Sequence, residues 1–435
     1  MLRLRALVAA WLEARSWHDT ALEPRFVPVE EYHRFRRGEI GAASFLREHG
    51  FVVFRGVLTQ DECDSTLELL WDFLEACEPG LSRDDERTWD DHWPRTVEGG
   101  ILPFNGAGQS AAAWAVRGNK AVHACFAQIW NVQSLVSSFD AMSVWRPWAG
   151  RLQRRRRRRT ERGWFHIDQN PLEKPGFACV QGLVNLLPMN SAGSTGGNVL
   201  VARSHEPRWF PGLYRGPHRK LVEAMQGEDW FALPRTSPLL ALLRRASSSG
   251  VGVGVGRESH PEALTLQLAA GDLLLWDSRT VHCSSPGNDG APAPVATVPP
   301  RPAAEGRRVG QPLLRAVVFV CMLPQRRLFS PSNLKRRCPL GDDNHDDGAS
   351  QEEALRVARR AAVDAGITTS HWPDRYPEAL TSYLDEGGGA GGDDRERAAT
   401  TPEIRRKVLL RFADLNEHQR QLVEGCCCSD TSFIR

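Results

Sequence analysis

Apolar and polar positions divide the chain into three zones. Residues 50–57 (GFVVFRGV) form an apolar run between glycines, which predicts a buried strand. Thr59-Gln60-Asp61-Glu62 then has the pattern of a capping box opening a helix. Cys63, Leu67, Leu70, Leu74 and Cys77 follow at helical spacing and give that helix one core-facing stripe, ending near Pro79-Gly80. Residues 121–139 read as a further helix, and 140–145 as a turn into a strand. The middle of the chain changes period. Strands are predicted at 176–188, 198–202, 264–268, 273–277 and 313–323, with small-residue turns such as 191–197 between them. Helical patterns return at 351–365 and 402–424. Helices first, short strands next and helices last predict a mainly β fold with flanking helices, a sandwich or jelly roll wrapped in helices.

Composition changes this picture little. Lys+Arg (55) nearly balance Asp+Glu (53), so global charge points to no acidic partner. Six consecutive arginines, Arg154 to Arg159, offer a nucleic-acid or import patch. A like-charge run repels itself, and a solvated insertion is the expectation, with no nucleic-acid partner. Residues 236–260 and 285–312 are low in complexity and read as surface insertions. The ten cysteines match neither a disulfide scaffold nor a zinc module. Buried thiols in a reducing, cytoplasmic compartment are expected. The first 17 residues read as an amphipathic helix, with organellar targeting as the alternative. No run is long enough for a transmembrane helix. Six tryptophans between Trp89 and Trp148 suggest a packed aromatic shell, core in the plain reading and cavity wall in the functional one.

The candidate chemistry starts at Trp164-Phe165-His166-Ile167-Asp168. Residues two apart on a strand share a face, so His166 and Asp168 can present a nitrogen and a carboxylate oxygen to one point. That is two-thirds of a 2-His-1-carboxylate iron site. A second His-x-Asp occurs at His345, inside the acidic stretch GDDNHDDG, which is a surface loop rather than a rigid frame. Two histidines compete as third ligand. His205 ends a strand before a Pro-Arg-Trp turn, and His282 closes GDLLLWDSRTVH directly after a buried strand. An anionic co-substrate needs a cation, since a buried arginine binds a carboxylate with two parallel hydrogen bonds. Arg315 opens AVVFVCML and shares a face with Val317, Phe319 and Cys321. Its alternative is a strand-end arginine reaching solvent; Arg307 and Arg308 rank second, and Arg279 is assigned to its local turn.

The segments WFHIDQNP, GFACVQGLVNLLP, Gly196-Gly197 with Ser204-His205, GDLLLWDSRTVHCSSPGN and RAVVFVCMLP, in this order, resemble the phytanoyl-CoA dioxygenase family of non-haem iron, 2-oxoglutarate-dependent oxygenases. The upstream GFVVFRGVLTQDEC fits the same resemblance, which covers roughly residues 45–330. It implies a double-stranded β-helix, the cupin-like jelly roll, preceded by a lead-in (1–44) and followed by a helical, partly disordered extension (331–435). The chain departs from the family by insertions near 150–162, 236–260 and 285–312. The resemblance implies His166, Asp168 and His282 as ligands to Fe(II), with O2 and 2-oxoglutarate as co-substrates. Arg315 would hold the far carboxylate of 2-oxoglutarate with help from Ser284, and Gln181 would face the co-substrate. The retained Asp168 implies hydroxylation of a small organic substrate, since related halogenases lack the carboxylate. Two other readings stand beside it: a catalytically silent barrel that binds a ligand, and a metal enzyme on the same barrel that does not use 2-oxoglutarate.

Overall fold

Leu273–Asp277 alternates between two cores. Leu273 and Leu275 face one apolar cluster, while Leu274 and Trp276 face another. A strand buried on both faces needs a partner layer on each, and this strand has a helical layer on one side and a second sheet on the other. The computed structural model describes residues 22–97, 100–146, 163–190, 195–210, 223, 229–235, 237–248, 261–286, 313–330, 348–373 and 408–425. The arginine run, residues 249–260 and 287–312, Arg307, Arg308, His345 and the cysteines at 426–428 lie outside them.

Among the described residues, thirteen strands form two sheets. They are β1 (Arg25–Val27), β2 (Phe51–Phe54), β3 (Ile101–Leu102), β4 (Leu135–Ser137), β5 (Met142–Trp145), β6 (His166–Ile167), β7 (Val180–Asn185), β8 (Gly196–Ala202), β9 (Phe231–Ala232), β10 (Glu262–Leu266), β11 (Leu273–Asp277), β12 (His282–Pro286) and β13 (Arg315–Pro324). One sheet runs β1-β10-β8-β12-β6-β9. The other runs β2-β11-β7-β13-β5-β3, with β4 also paired to β13. All these pairings are antiparallel except β1 with β10. The chain therefore builds a mainly β body of two mostly antiparallel sheets.

Val53, Leu183, Leu200, Leu264, Leu274 and Val317 come from both sheets and make the core between them. The outer face of the second sheet packs on the helices Ala42–His49, Gln60–Cys77, Ala111–Arg117 and Lys120–Trp130. The Gln60–Cys77 helix starts at the expected capping box, Thr59 with Glu62. Along β13, Ala316, Val318, Val320 and Met322 face the helices. Val317 and Phe319 face the other sheet, so Arg315 belongs to the inner face, as its spacing predicts.

Two expectations need correction. The helix predicted over 121–139 ends at Trp130, because Asn131 takes a left-handed conformation (φ 52°) that caps it. The chain then enters β4. Within 236–260, Pro238–Ser248 forms a helix whose Leu239, Leu240 and Leu243 are buried against the outer face of the first sheet. Among the six tryptophans, Trp89, Trp93, Trp114 and Trp145 are buried, and Trp89 and Trp93 pack with Trp71 as plain core. The six described cysteines are free thiols, and five of them are buried. No helix among the described residues is long and apolar enough to cross a membrane.

Candidate metal centre

Strand pairing brings two of the three candidate ligands together. His282 on β12 lies directly opposite His166 on β6, and their ring centroids are 4.2 Å apart. Strand β6 ends at Ile167, so Asp168 sits in the bend that follows. Its backbone N–H donates to Ser278 O at 3.3 Å. The bend turns its carboxylate back, leaving Oδ2 3.6 Å from His166 Nε2 and 3.1 Å from His282 Nε2. All three side chains are buried, and their donor atoms lie within 4.8 Å of one another.

The tautomers of both histidines follow from their other nitrogens. His166 Nδ1 donates to Trp164 O at 3.0 Å, and His282 Nδ1 donates to Thr280 O at 2.9 Å. A carbonyl oxygen only accepts, so each Nδ1 carries the hydrogen, and in the neutral ring Nε2 is left with its lone pair. Burial, and then the neighbouring His166, push His282 below its ordinary value against the pull of Asp168. Burial opposes ionisation of Asp168, but His166, His371 and His282 outweigh it and hold the carboxyl well below the usual range. Two imidazole lone pairs and a carboxylate thus converge on one point. A cation placed there would meet all three donors, and nitrogen-nitrogen-oxygen donors suit a divalent transition metal. Backbone-fixed imidazoles are also how metal-binding histidines are oriented.

Aromatic rings shield the cluster. Trp164 stacks on His166 at 4.7 Å with planes 7° apart, and Trp276 lies 5.3 Å from the His282 ring. Trp230, about half exposed (48%), lies 6.0 Å from His166 and marks the open side.

The other residues singled out in the sequence separate clearly. Gln181, expected toward a co-substrate, donates from Nε2 to Asp168 Oδ2 at 2.9 Å and so orients the carboxylate. Ser284 is buried on β12, two residues past His282, with Asn198 of β8 directly opposite. Asn198 carried no signal in the sequence, yet its buried Nδ2 has no partner among the described residues. Arg315 is fully buried, with its guanidinium 4.5 Å from the centre of the Trp145 ring. Its Nε and Nη1 find no acceptor among the described residues, and burial pushes its pKa down to about 9. His205 stays out of the cluster. Its Nε2 meets Arg47 O at 2.9 Å, and a Cβ on Gly50 (φ +84°) would come within 2.6 Å of its Nδ1, so it packs as a structural histidine. Arg279 grips Asp277 at 2.6 and 2.9 Å, serving the local turn as expected. Sequence reasoning missed His371 and Trp372, which both donate to the backbone carbonyl of Asp168 at 3.0 Å.

No family model matches the chain. Ava biosynthesis cluster protein O of Aspergillus versicolor is 26% identical over 309 residues, which span 70% of this chain and 82% of that protein. A Dictyostelium discoideum protein provisionally named a phytanoyl-CoA dioxygenase is 25% identical over 108 residues, 24% of this chain and 30% of its own length. Among solved structures, the epimerase SnoN, in complex with Fe3+, alpha ketoglutarate and nogalamycin RO, is 15% identical with a TM-score of 0.36, covering 65% of this chain and 82% of that one. AviO1 of Streptomyces viridochromogenes Tue57 is 15% identical with a TM-score of 0.34, covering 68% of this chain and 98% of that one. Likeness at this level leaves the chemistry to be argued from the side chains.

Proposed function

We propose that the protein is an iron(II)- and 2-oxoglutarate-dependent oxygenase of the phytanoyl-CoA dioxygenase type, hydroxylating a small organic substrate. The observation that carries this reading is the convergence of His166 Nε2, His282 Nε2 and Asp168 Oδ2 on one buried point, with tautomers that leave lone pairs facing inward. Two histidines and one carboxylate are the donor set of the facial iron site. The two sheets would be the halves of a double-stranded β-helix, with the oxygenase unit over roughly residues 45–330 and an extension after it. The partial match to the Dictyostelium protein points the same way.

His166, Asp168 and His282 would hold Fe(II), and Gln181 would fix the rotation of the carboxylate between the histidines. Arg315 would take the far carboxylate of 2-oxoglutarate, with Ser284 on the facing sheet as a second donor. Arg315 fits this task because its buried Nε and Nη1 want acceptors, and a carboxylate supplies two. When bound, the metal and keto acid supply the chemistry: activation of O2, loss of CO2 to leave succinate, and oxidation of the substrate. The protein's share is orientation and exclusion of water. Trp164 and Trp276 cover the imidazoles, and half-exposed Trp230 stands where substrate would enter.

The test is direct. Protein mixed anaerobically with Fe(II) and 2-oxoglutarate is expected to develop a visible charge-transfer band, which His166→Ala abolishes and Arg315→Ala weakens strongly. If the intact protein gives neither the band nor succinate from 2-oxoglutarate and O2, the proposal is wrong.

A further inference from the structure

Asp168 is held by three remote parts of the chain. Its N–H goes to Ser278, its carboxylate to Gln181, and its carbonyl oxygen to His371 Nε2 and Trp372 Nε1, each at 3.0 Å. Both carbonyl donors belong to the segment that follows the helix Gly348–Asp364, beyond the last strand of either sheet. His371 Nδ1 also lies 4.0 Å from Asp168 Oδ2. Trp372 is buried in a small core with Val136, Cys179, Cys321 and Leu355.

This segment is anchored along its length. Gln109 Nε2 donates to Ile367 O at 2.7 Å, Gly108 N to Thr368 Oγ1 at 2.9 Å, and Thr369 N to Phe139 O at 2.8 Å. Wholly buried Arg359 donates to Pro373 O and Ser137 O, each at 2.7 Å. From the other side, Lys174 Nζ sits 4.1 Å from the centre of the Trp372 ring. Lys174 pairs with buried Asp229 at 2.7 Å, and Asp229 also accepts the backbone N–H of Asn170, two residues after Asp168. The strap and the ligand loop are therefore one hydrogen-bonded and cation–π unit.

We infer that His371 and Trp372 are positioning residues of the metal centre, a clasp that fixes the peptide plane of Asp168 and with it the direction of the carboxylate. The inference rests on reading His166, Asp168 and His282 as a metal site. The physical reason is geometric. A carboxylate in a bend has no strand ladder to set its backbone, whereas His166 and His282 lie on paired strands. Two N–H donors on one carbonyl supply the missing restraint, and outer partners of this kind typically govern metal affinity by 10- to 100-fold.

The experiment uses the full chain, freed of metal and titrated anaerobically with Co(II) alone, reading affinity and the visible d–d spectrum. Trp372→Phe removes one N–H and keeps the ring. Trp130→Phe is the control, because Trp130 Nε1 likewise donates to a backbone carbonyl, Met322 O at 2.8 Å, which belongs to no ligand. Trp372→Phe and His371→Ala are expected to weaken Co(II) by about tenfold or more and to shift the d–d bands. Trp130→Phe is expected to do neither, and His371→Gln, which keeps a donor near Nε2, is expected to restore wild-type binding. The clasp is refuted, with the metal site intact, if wild type binds Co(II) and both strap variants bind it equally well with an unchanged spectrum. It is refuted together with the metal site if wild type takes up no Co(II).

Discussion

Replacing Arg315 with methionine is expected to make the protein more stable and, on the proposed reading, blind to 2-oxoglutarate at once. Burial alone lowers the Arg315 pKa to about 9. Set against the ordinary guanidinium value, that fall is roughly 3.5 pH units, and at about 1.36 kcal/mol each it caps the cost of the buried charge near 5 kcal/mol. The stacking of Arg315 on Trp145 at 4.5 Å returns about 2 kcal/mol. The ligand-free Arg315→Met variant should therefore gain up to about 3 kcal/mol, since methionine fills most of the stem's volume without a charge. In a thermal melt this is a rise of several degrees. The second arm adds 2-oxoglutarate at constant Co(II). At a hundredfold excess over its Kd it stabilises wild type by about 2.7 kcal/mol, and it leaves the variant unmoved. A variant that melts below wild type without ligand, and rises with it by the same amount when 2-oxoglutarate is added, refutes both halves of the reasoning. It would favour a metal enzyme that does not use 2-oxoglutarate.

Four further outcomes follow from the geometry. Gln181→Leu removes the donor on Asp168 Oδ2 and is expected to weaken Co(II) by about 10- to 100-fold, read by titration, while unchanged affinity would show that the carboxylate needs no such guide. Because His282 titrates below its ordinary 6.5 and Asp168 stays ionised well below the usual carboxylate range, protons compete with the metal at these two groups only in acid; Co(II) affinity should fall as the pH is lowered beneath 6.5, and an affinity unchanged there down to about pH 4 would contradict both as ligands. The same groups set stability without metal. The unfolded chain binds the His282 proton that the folded chain refuses, so stability falls as pH drops below 6.5. Thr59→Ala breaks the capping box and should cost about 1 kcal/mol, seen as a lower urea midpoint at constant slope with Co(II) affinity unchanged.

What the sequence disclosed depended on how local its cause was. Strand β11 was legible to the residue because LLLWD is apolar on both faces and bounded by a turn at Gly271. The capping box was legible because all its partners lie within four residues. The helix end at Trp130 was not, since a single asparagine in a left-handed conformation has no period to betray it. At the site, His166 and Asp168 were visible as a spacing, and His282 as a histidine just past a buried strand. Pairing favours His282 over His205, because β12 lies directly beside β6, whereas β8, which leads to His205, pairs with β10 and β12 instead. Gln181 was visible as a polar residue within a strand, but its partner is a tertiary fact. His371 and Trp372 left no trace at all, because nothing in a short window connects residues 203 and 204 positions away from Asp168.

That separation also sets an order in time. Chains lengthen at about 5–20 residues per second, so Asp168 exists for roughly 10–40 s before the ribosome reaches His371. Both sheets are fully translated in that interval, and His166 and His282 can already face each other across β6 and β12. Of the three candidate ligands, Asp168 is the one whose backbone carbonyl is taken by this later segment. On the proposed reading, the clasp on Asp168 can close only once residues 371 and 372 have been made, well after both histidines.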